Sequence, residues 1–164
     1  MSEGSDRQLR FGKLTMVGSD DPVLHSVATL IEEGEVRSFV DTAYEMFDLV
    51  VDQTGTGLAA PQVGISRRLF VIFYGGRKYF CINPVIIKSM KPMVTASEGC
   101  LSYPGVHVPV TRFERIKVEY LDLAGNINRH YMNGWIARIF QHELDHLDGI
   151  VFLDRSKEQG ANHG

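Results

Sequence analysis

The sequence predicts an α+β fold, with antiparallel β-sheets packed around a central helix that bears His142 and His146 and a second helix nearer the N-terminus. Three observations predict it. Apolar residues recur at helical spacing through 35–51, a strict in–out alternation runs through 115–121, and a second helical stripe ends just before Gly149.

Taken in order, residues 1–20 are mixed and turn-rich, and a loose start is expected. Val36, Phe39, Val40, Ala43, Met46, Phe47 and Val50 line one face of a helix over 35–51, with Arg37, Asp41, Glu45 and Asp48 on the other. Residues 53–57 break that pattern. Segments 68–74 and 78–82 are rich in aromatic and β-branched residues and flank Gly75-Gly76, which predicts a hairpin. Asn83-Pro84 starts a further turn or strand pair through 85–88 and 93–96. Ile116, Val118 and Tyr120 alternate with Lys117 and Glu119 in a half-buried strand, and residues 127–132 return after a turn at 122–126. Asn133 is the expected N-cap of the second helix, whose inner stripe is Ile136, Ile139, Phe140, Glu143, Leu144 and Leu147. Gly149 falls where a left-handed cap would end it. Residues 155–164 are polar and are expected to fray. The whole of 1–164 reads as one catalytic domain.

Composition narrows the function classes. Seventeen Lys and Arg against 20 Asp and Glu leave a formal charge of −3, so nothing electrostatic points to direct nucleic-acid recognition or an anionic membrane. No apolar run is long enough to span a bilayer. The first residues lack the apolar stretch of a signal peptide and carry Glu3 and Asp6, so a cytoplasmic location is expected. Each of the two cysteines, Cys81 and Cys100, reads either as a small buried hydrophobe or as a ligand or nucleophile.

The chemistry concentrates in the second helix. His142 and His146 are one turn apart on one face, so both imidazoles can reach one ion. Glu143 lies on the apolar side, where a buried carboxylate needs a partner. A water at the ion would supply one, and Glu143 would take its proton. Catalytic sites of this kind use a third protein ligand. The pattern with a further histidine is excluded, because that position is Phe152. The acids after His146 (Asp148, Asp154 and Glu158) have no ligand-like context. The third ligand is therefore upstream, with Cys81, Glu98, Cys100, His107 and His130 as candidates.

Three segments together resemble the peptide deformylase family. They are Gly55-Thr56-Gly57-Leu58-Ala59-Ala60-Pro61-Gln62, Glu98-Gly99-Cys100-Leu101-Ser102 and Gln141-His142-Glu143-Leu144-Asp145-His146, similar to its GxGLAAPQ, EGCLS and QHExDH motifs in order and spacing. The resemblance covers about 21–154. It implies Cys100, as thiolate, for the third ligand beside His142 and His146, and Glu143 as the proton carrier. It also implies the Gln62 amide and the Leu101 backbone N–H as oxyanion donors. The implied reaction removes the formyl group from the N-terminal formylmethionine of new polypeptides and releases formate, a step of protein biosynthesis. The implied cofactor is one divalent ion, iron(II) physiologically, with zinc, nickel or cobalt able to take its place. The implied partners are N-formyl-Met peptides and, transiently, the ribosome that presents them; a monomer is expected.

For substrate binding the candidates are Gly55, Thr56, Gly57, Glu98, Trp135, Arg138 and Ile139. The glycines would let an extended peptide approach strand-fashion. Thr56, Tyr103 and His107 depart from the residues usual in the family, and with Trp135 they bear on pocket shape. Two alternatives stand beside this reading: a metallopeptidase of unusual layout, and a protein of the same fold that binds peptides without turnover.

Overall fold

The computed structural model describes residues 14–161. The start expected to be loose falls partly outside them; residues 14–20 are without helix or strand. The elements in order are α1 (Val40–Asp52), β1 (Gly57–Ala59), β2 (Leu69–Tyr74), β3 (Arg77–Cys100), β4 (Tyr103–Leu121), β5 (Ile127–Asn133), α2 (Trp135–Leu147) and α3 (Phe152–Ala161). The strands form one sheet in sequence order, every neighbour antiparallel, which fits short connections between consecutive strands.

β2 is the strand on which both layers meet. Phe70 and Ile72 face α2, where Ala137, Phe140 and Leu147 join Cys81, Ile116 and Val118. Leu69 and Val71 point the other way, into a cluster with Met46 and Val50 of α1 and Leu58. Period-two alternation thus gives one strand two cores, and burying each such side chain contributes about 1.5–3 kcal/mol. Phe70 meets Phe140 edge-on, with ring centroids 5.0 Å apart. That contact fixes the height of α2 over the sheet.

Four expectations need correction. The helix over 35–51 is split: a 3₁₀ segment, Glu33–Phe39, precedes α1. The Glu35 carboxylate accepts the Glu32 N–H at 2.9 Å and also pairs with Arg67, which tightens that first stretch. Segments 78–82, 85–88 and 93–96 belong to the single strand β3. Register shifts between Ile82/Val85 and Met90/Met93 absorb Asn83-Pro84 and Pro92, so these residues kink the strand rather than end it. Asn133 is the last residue of β5, not the N-cap. The cap is Gly134, whose φ of +68° turns the chain directly into α2. Of the tail expected to fray, 155–161 belongs to α3, held by polar bonds that hydrophobic periodicity does not register, and 162–164 lie outside the described residues. Gly149 has φ +73°, as expected of a left-handed cap, and lies so close to the backbone of His25 and Ser26 that a Cβ would be 2.9 Å from it.

Candidate metal centre

The end of β3 and the middle of α2 meet at the floor of a cleft of about 580 Å³, lined by residues 53–57, 97–101 and 103–107 and by the first turns of α2. There the Cys100 thiol and the His142 and His146 ring nitrogens lie within 4.8 Å of one another, and they are the only metal-ligand cluster among the described residues. Cys100 Sγ is 3.4 Å from His146 Nε2. The other candidates for a third ligand lie elsewhere. Cys81 is sealed in the core, and His130 is 3.0 Å from the Tyr120 hydroxyl on the sheet. His107 lines the cleft wall against Gly99, and Glu98 is committed to other partners.

Glu98 explains the pose of His142. Its Oε1 accepts from His142 Nδ1 at 3.0 Å, which puts the proton on Nδ1 and leaves Nε2 for an ion. Arg112 grips the same carboxylate through Nε at 2.6 Å and Nη2 at 2.9 Å, and Arg138 Nη1 adds a bond at 2.6 Å. All four side chains are buried. Burial raises the Glu98 pKa, but His142 and Arg112 overcome it and hold it at about 2. Burial likewise opposes charge on His142, yet Cys100 and Glu98 beside it raise its pKa to about 10, so an ion taking Nε2 displaces the proton there. Burial, with His142 and Arg112 as neighbours, lowers that of His146. A thiol and two imidazoles of this kind form a soft donor set that suits a late first-row divalent ion.

Glu143 points into the cleft from the turn between the two histidines. Burial raises its pKa to about 7, against the opposing pull of His142 and Arg112. Its Oε2 is buried with no hydrogen-bond partner among the described residues. An acceptor left in that state is costly unless something in the cleft uses it. Gly57 makes room for it: a Cβ there would lie 2.5 Å from Glu143 Oε1. Gly55 clears Leu101 in the same way, at 2.9 Å from Leu101 Cδ1.

Gln62 is held in one orientation. Its Oε1 accepts the Ala59 N–H at 2.9 Å, which turns Nε2 towards Ser102 Oγ at 2.9 Å and Cys100 Sγ at 3.5 Å. A buried amide fixed at both ends presents a donor beside the Cys100 sulfur without a reorganisation cost. Trp135 is 49% exposed and stands on the cleft wall, with the Arg138 guanidinium 5.6 Å from its ring. Ile139 and Thr56 also line the cleft. Arg138 and Glu98 line the cleft, with their polar atoms committed within the protein: Glu98 to Arg112, Arg138 and His142, and Arg138 also to the carbonyls of Val110 at 2.8 Å and Val94 at 2.5 Å.

Sequence reading missed Ser102, Arg112 and Asp145. Ser102 and Asp145 sit inside quoted motifs and so carried a signal; the Asp145 carboxylate takes Arg112 Nη1 at 2.9 Å. Nothing local marks Arg112, because its partners come from β3 and α2.

A profile of the polypeptide deformylase family matches residues 13–162. The peptide deformylase of Dictyoglomus turgidum is 43% identical over 143 residues, covering 86% of this chain and 91% of that one. The crystal structure of peptide deformylase from Thermotoga maritima superimposes with a TM-score of 0.83 at 38% identity, over 87% of this chain and 96% of that one. A class I type b peptide deformylase from Acinetobacter baumannii, solved with Met-Ala-Ser bound, gives 0.81 at 31% identity, over 87% and 97% of the two chains.

Proposed function

This chain belongs to the polypeptide deformylase family and is a deformylase, a metal-dependent hydrolase, and on that premise we propose the roles of its residues. Cys100, His142 and His146 hold one divalent ion, iron(II) in the cell. When bound, the ion supplies Lewis acidity and brings the pKa of a coordinated water towards neutrality. The observation that carries the assignment is the meeting of those three donors beside a carboxylate whose free oxygen has no partner among the described residues.

Glu143 accepts the proton of the attacking water at Oε2 and returns it to the departing amine of methionine. Burial, which raises its pKa, favours proton uptake by a group that must both take and give a proton. The Gln62 amide and the Leu101 backbone N–H donate to the oxyanion that develops on the formyl oxygen. The substrate runs as an extended strand past Gly55, Thr56 and Gly57, which line the cleft. Trp135 and Ile139 line the methionine pocket. N-formyl-Met peptides as substrates fit the Acinetobacter enzyme's complex with Met-Ala-Ser. A cytoplasmic monomer that meets nascent chains at the ribosome completes the reading. Among the described residues no helix is long and apolar enough to cross a membrane.

Formate release from formyl-Met-Ala-Ser, measured without oxygen on protein of known metal content, tests this. Wild-type protein loaded with iron(II), nickel(II) or cobalt(II) should turn over. Glu143→Ala should lose activity by about 10²-fold or more while keeping its metal. Absence of formate from all three metal forms of the wild type would sink the proposal.

A further inference from the structure

The polar bonds of α3 converge on the support of the metal centre. Arg155 Nη2 and Nε donate to Asp145 Oδ1 and Oδ2 at 2.8 and 3.0 Å. Asp145 Oδ2 also accepts Arg112 Nη1 at 2.9 Å. Arg112 in turn holds Glu98 at two points, and Glu98 fixes His142 Nδ1. Gln159 acts on the backbone just before Arg112. Its Oε1 accepts Thr111 N–H at 2.8 Å and its Nε2 donates to Thr111 C=O at 2.9 Å, so one amide occupies both polar groups of that residue. Phe152, the first residue of α3, lies with its ring centroid 5.9 Å from that of His142.

Resting on the metal-centre reading above, we propose that Arg155 and Gln159 are positioning residues: they fix Arg112 from both sides, and through Glu98 they hold His142 Nε2 in ligating orientation. The physical case is a competition for one guanidinium. Asp145 and Glu98 are both buried carboxylates and both draw on Arg112. Arg155 satisfies Asp145 independently, which leaves Arg112 free to grip Glu98 with two parallel bonds. Without Arg155, Asp145 pulls Arg112 towards itself and the Glu98 grip loosens. Without Gln159, the backbone that carries Arg112 can slide along β4. In either case His142 loses its fixed angle, and an ion held by three ligands loses one of them more often.

Cobalt(II) is the probe, because a thiolate-bound cobalt site absorbs light and reports its own geometry. Wild type, Arg155→Met, Arg155→Lys, Gln159→Leu and the outward-facing control Lys157→Ala are loaded with cobalt, and its release to excess chelator is timed. Arg155→Met and Gln159→Leu should release cobalt about tenfold faster, as ligand partners typically do, with an altered thiolate–cobalt band. Arg155→Lys should recover part of the loss and Lys157→Ala should match wild type. Release rates and spectra equal to wild type in Arg155→Met and Gln159→Leu, with only a lowered Tm, would overturn the proposal and leave α3 a stabilising helix. If Arg155→Met does not fold, wild-type release from both Gln159→Leu and Arg155→Lys overturns it equally. Wild-type protein that holds cobalt but frees no formate refutes the deformylase reading and leaves this comparison intact.

Discussion

Single residues set the site's tolerances, and Gly57 sets the tightest. A methyl group there would stand 2.5 Å from Glu143 Oε1, well inside contact distance. Either β1 or the carboxylate must move. Gly57→Ala should therefore lower kcat/KM by about 10²-fold with metal content unchanged; a variant with wild-type turnover would remove the steric argument. Glu98 gives a second prediction, on stability. Its folded-state pKa is held at about 2 against an ordinary 4.5. Between those values the unfolded chain binds a proton that the folded chain does not, so the stabilisation is complete above 4.5 and is lost as pH falls towards 2. In metal-free protein, Glu98→Gln should flatten the fall of Tm across that window, and an unchanged slope would count against the assignment. The two residues differ in how far sequence reveals them. Gly57 sits in a glycine-rich motif, so its place at the site is legible though its contact is not. Glu98 was read as a substrate contact because its motif neighbours are at the site. Its hydrogen-bond partners, Arg112, Arg138 and His142, are spread over β4 and α2, and no local pattern joins them.

Elements were legible where burial follows a period. α2 was predicted within two residues of its start because its apolar stripe recurs every three to four residues, and the last part of β4, 115–121, because Ile116, Val118 and Tyr120 alternate; the earlier part, 103–114, was not read as strand. α3 escaped because its docking is polar: Arg155 to Asp145 and Gln159 to Thr111. β3 was broken at Asn83-Pro84 and Pro92 because proline is read as a stop, whereas register shifts let an antiparallel pair carry it. The end of α2 shows another connection invisible in a local window. Arg68, just before β2, donates to Leu147 C=O at 2.9 Å and to Asp148 Oδ1 at 2.8 Å. It caps the helix that carries both histidines and places a cation at its negative end. Arg68→Met keeps the side-chain stem and removes both bonds. It should cost about 1 kcal/mol, a modest figure because Asp148 is 44% exposed. A shift of the urea midpoint at constant m would show it; no shift would mean that water caps the helix equally well.

At the scale of the whole molecule, the candidate donors join a strand and a helix that also meet through the Glu98–Arg112–Asp145 bonds. Cys100 ends the long strand β3, and His142 and His146 belong to α2, which follows it after two further strands. An ion gripping all three ties strand to helix in the native state only, because the unfolded chain does not hold the donors together. Binding of that kind adds to stability as the logarithm of free metal concentration. Each tenfold increase above the dissociation constant should add about 1.4 kcal/mol, which for a chain of this size raises Tm by roughly 4 °C. Metal-free protein titrated with cobalt(II) should therefore show Tm rising in a straight line against log free cobalt. Cys100→Ala should shift that line to much higher concentrations, since two imidazoles alone hold the ion weakly. Glu143→Ala should leave it in place, because Glu143 is assigned to the water and not to the ion. A Glu143→Ala line displaced as far as that of Cys100→Ala would make Glu143 a ligand. The division of labour between Cys100 and Glu143 would then have to be redrawn.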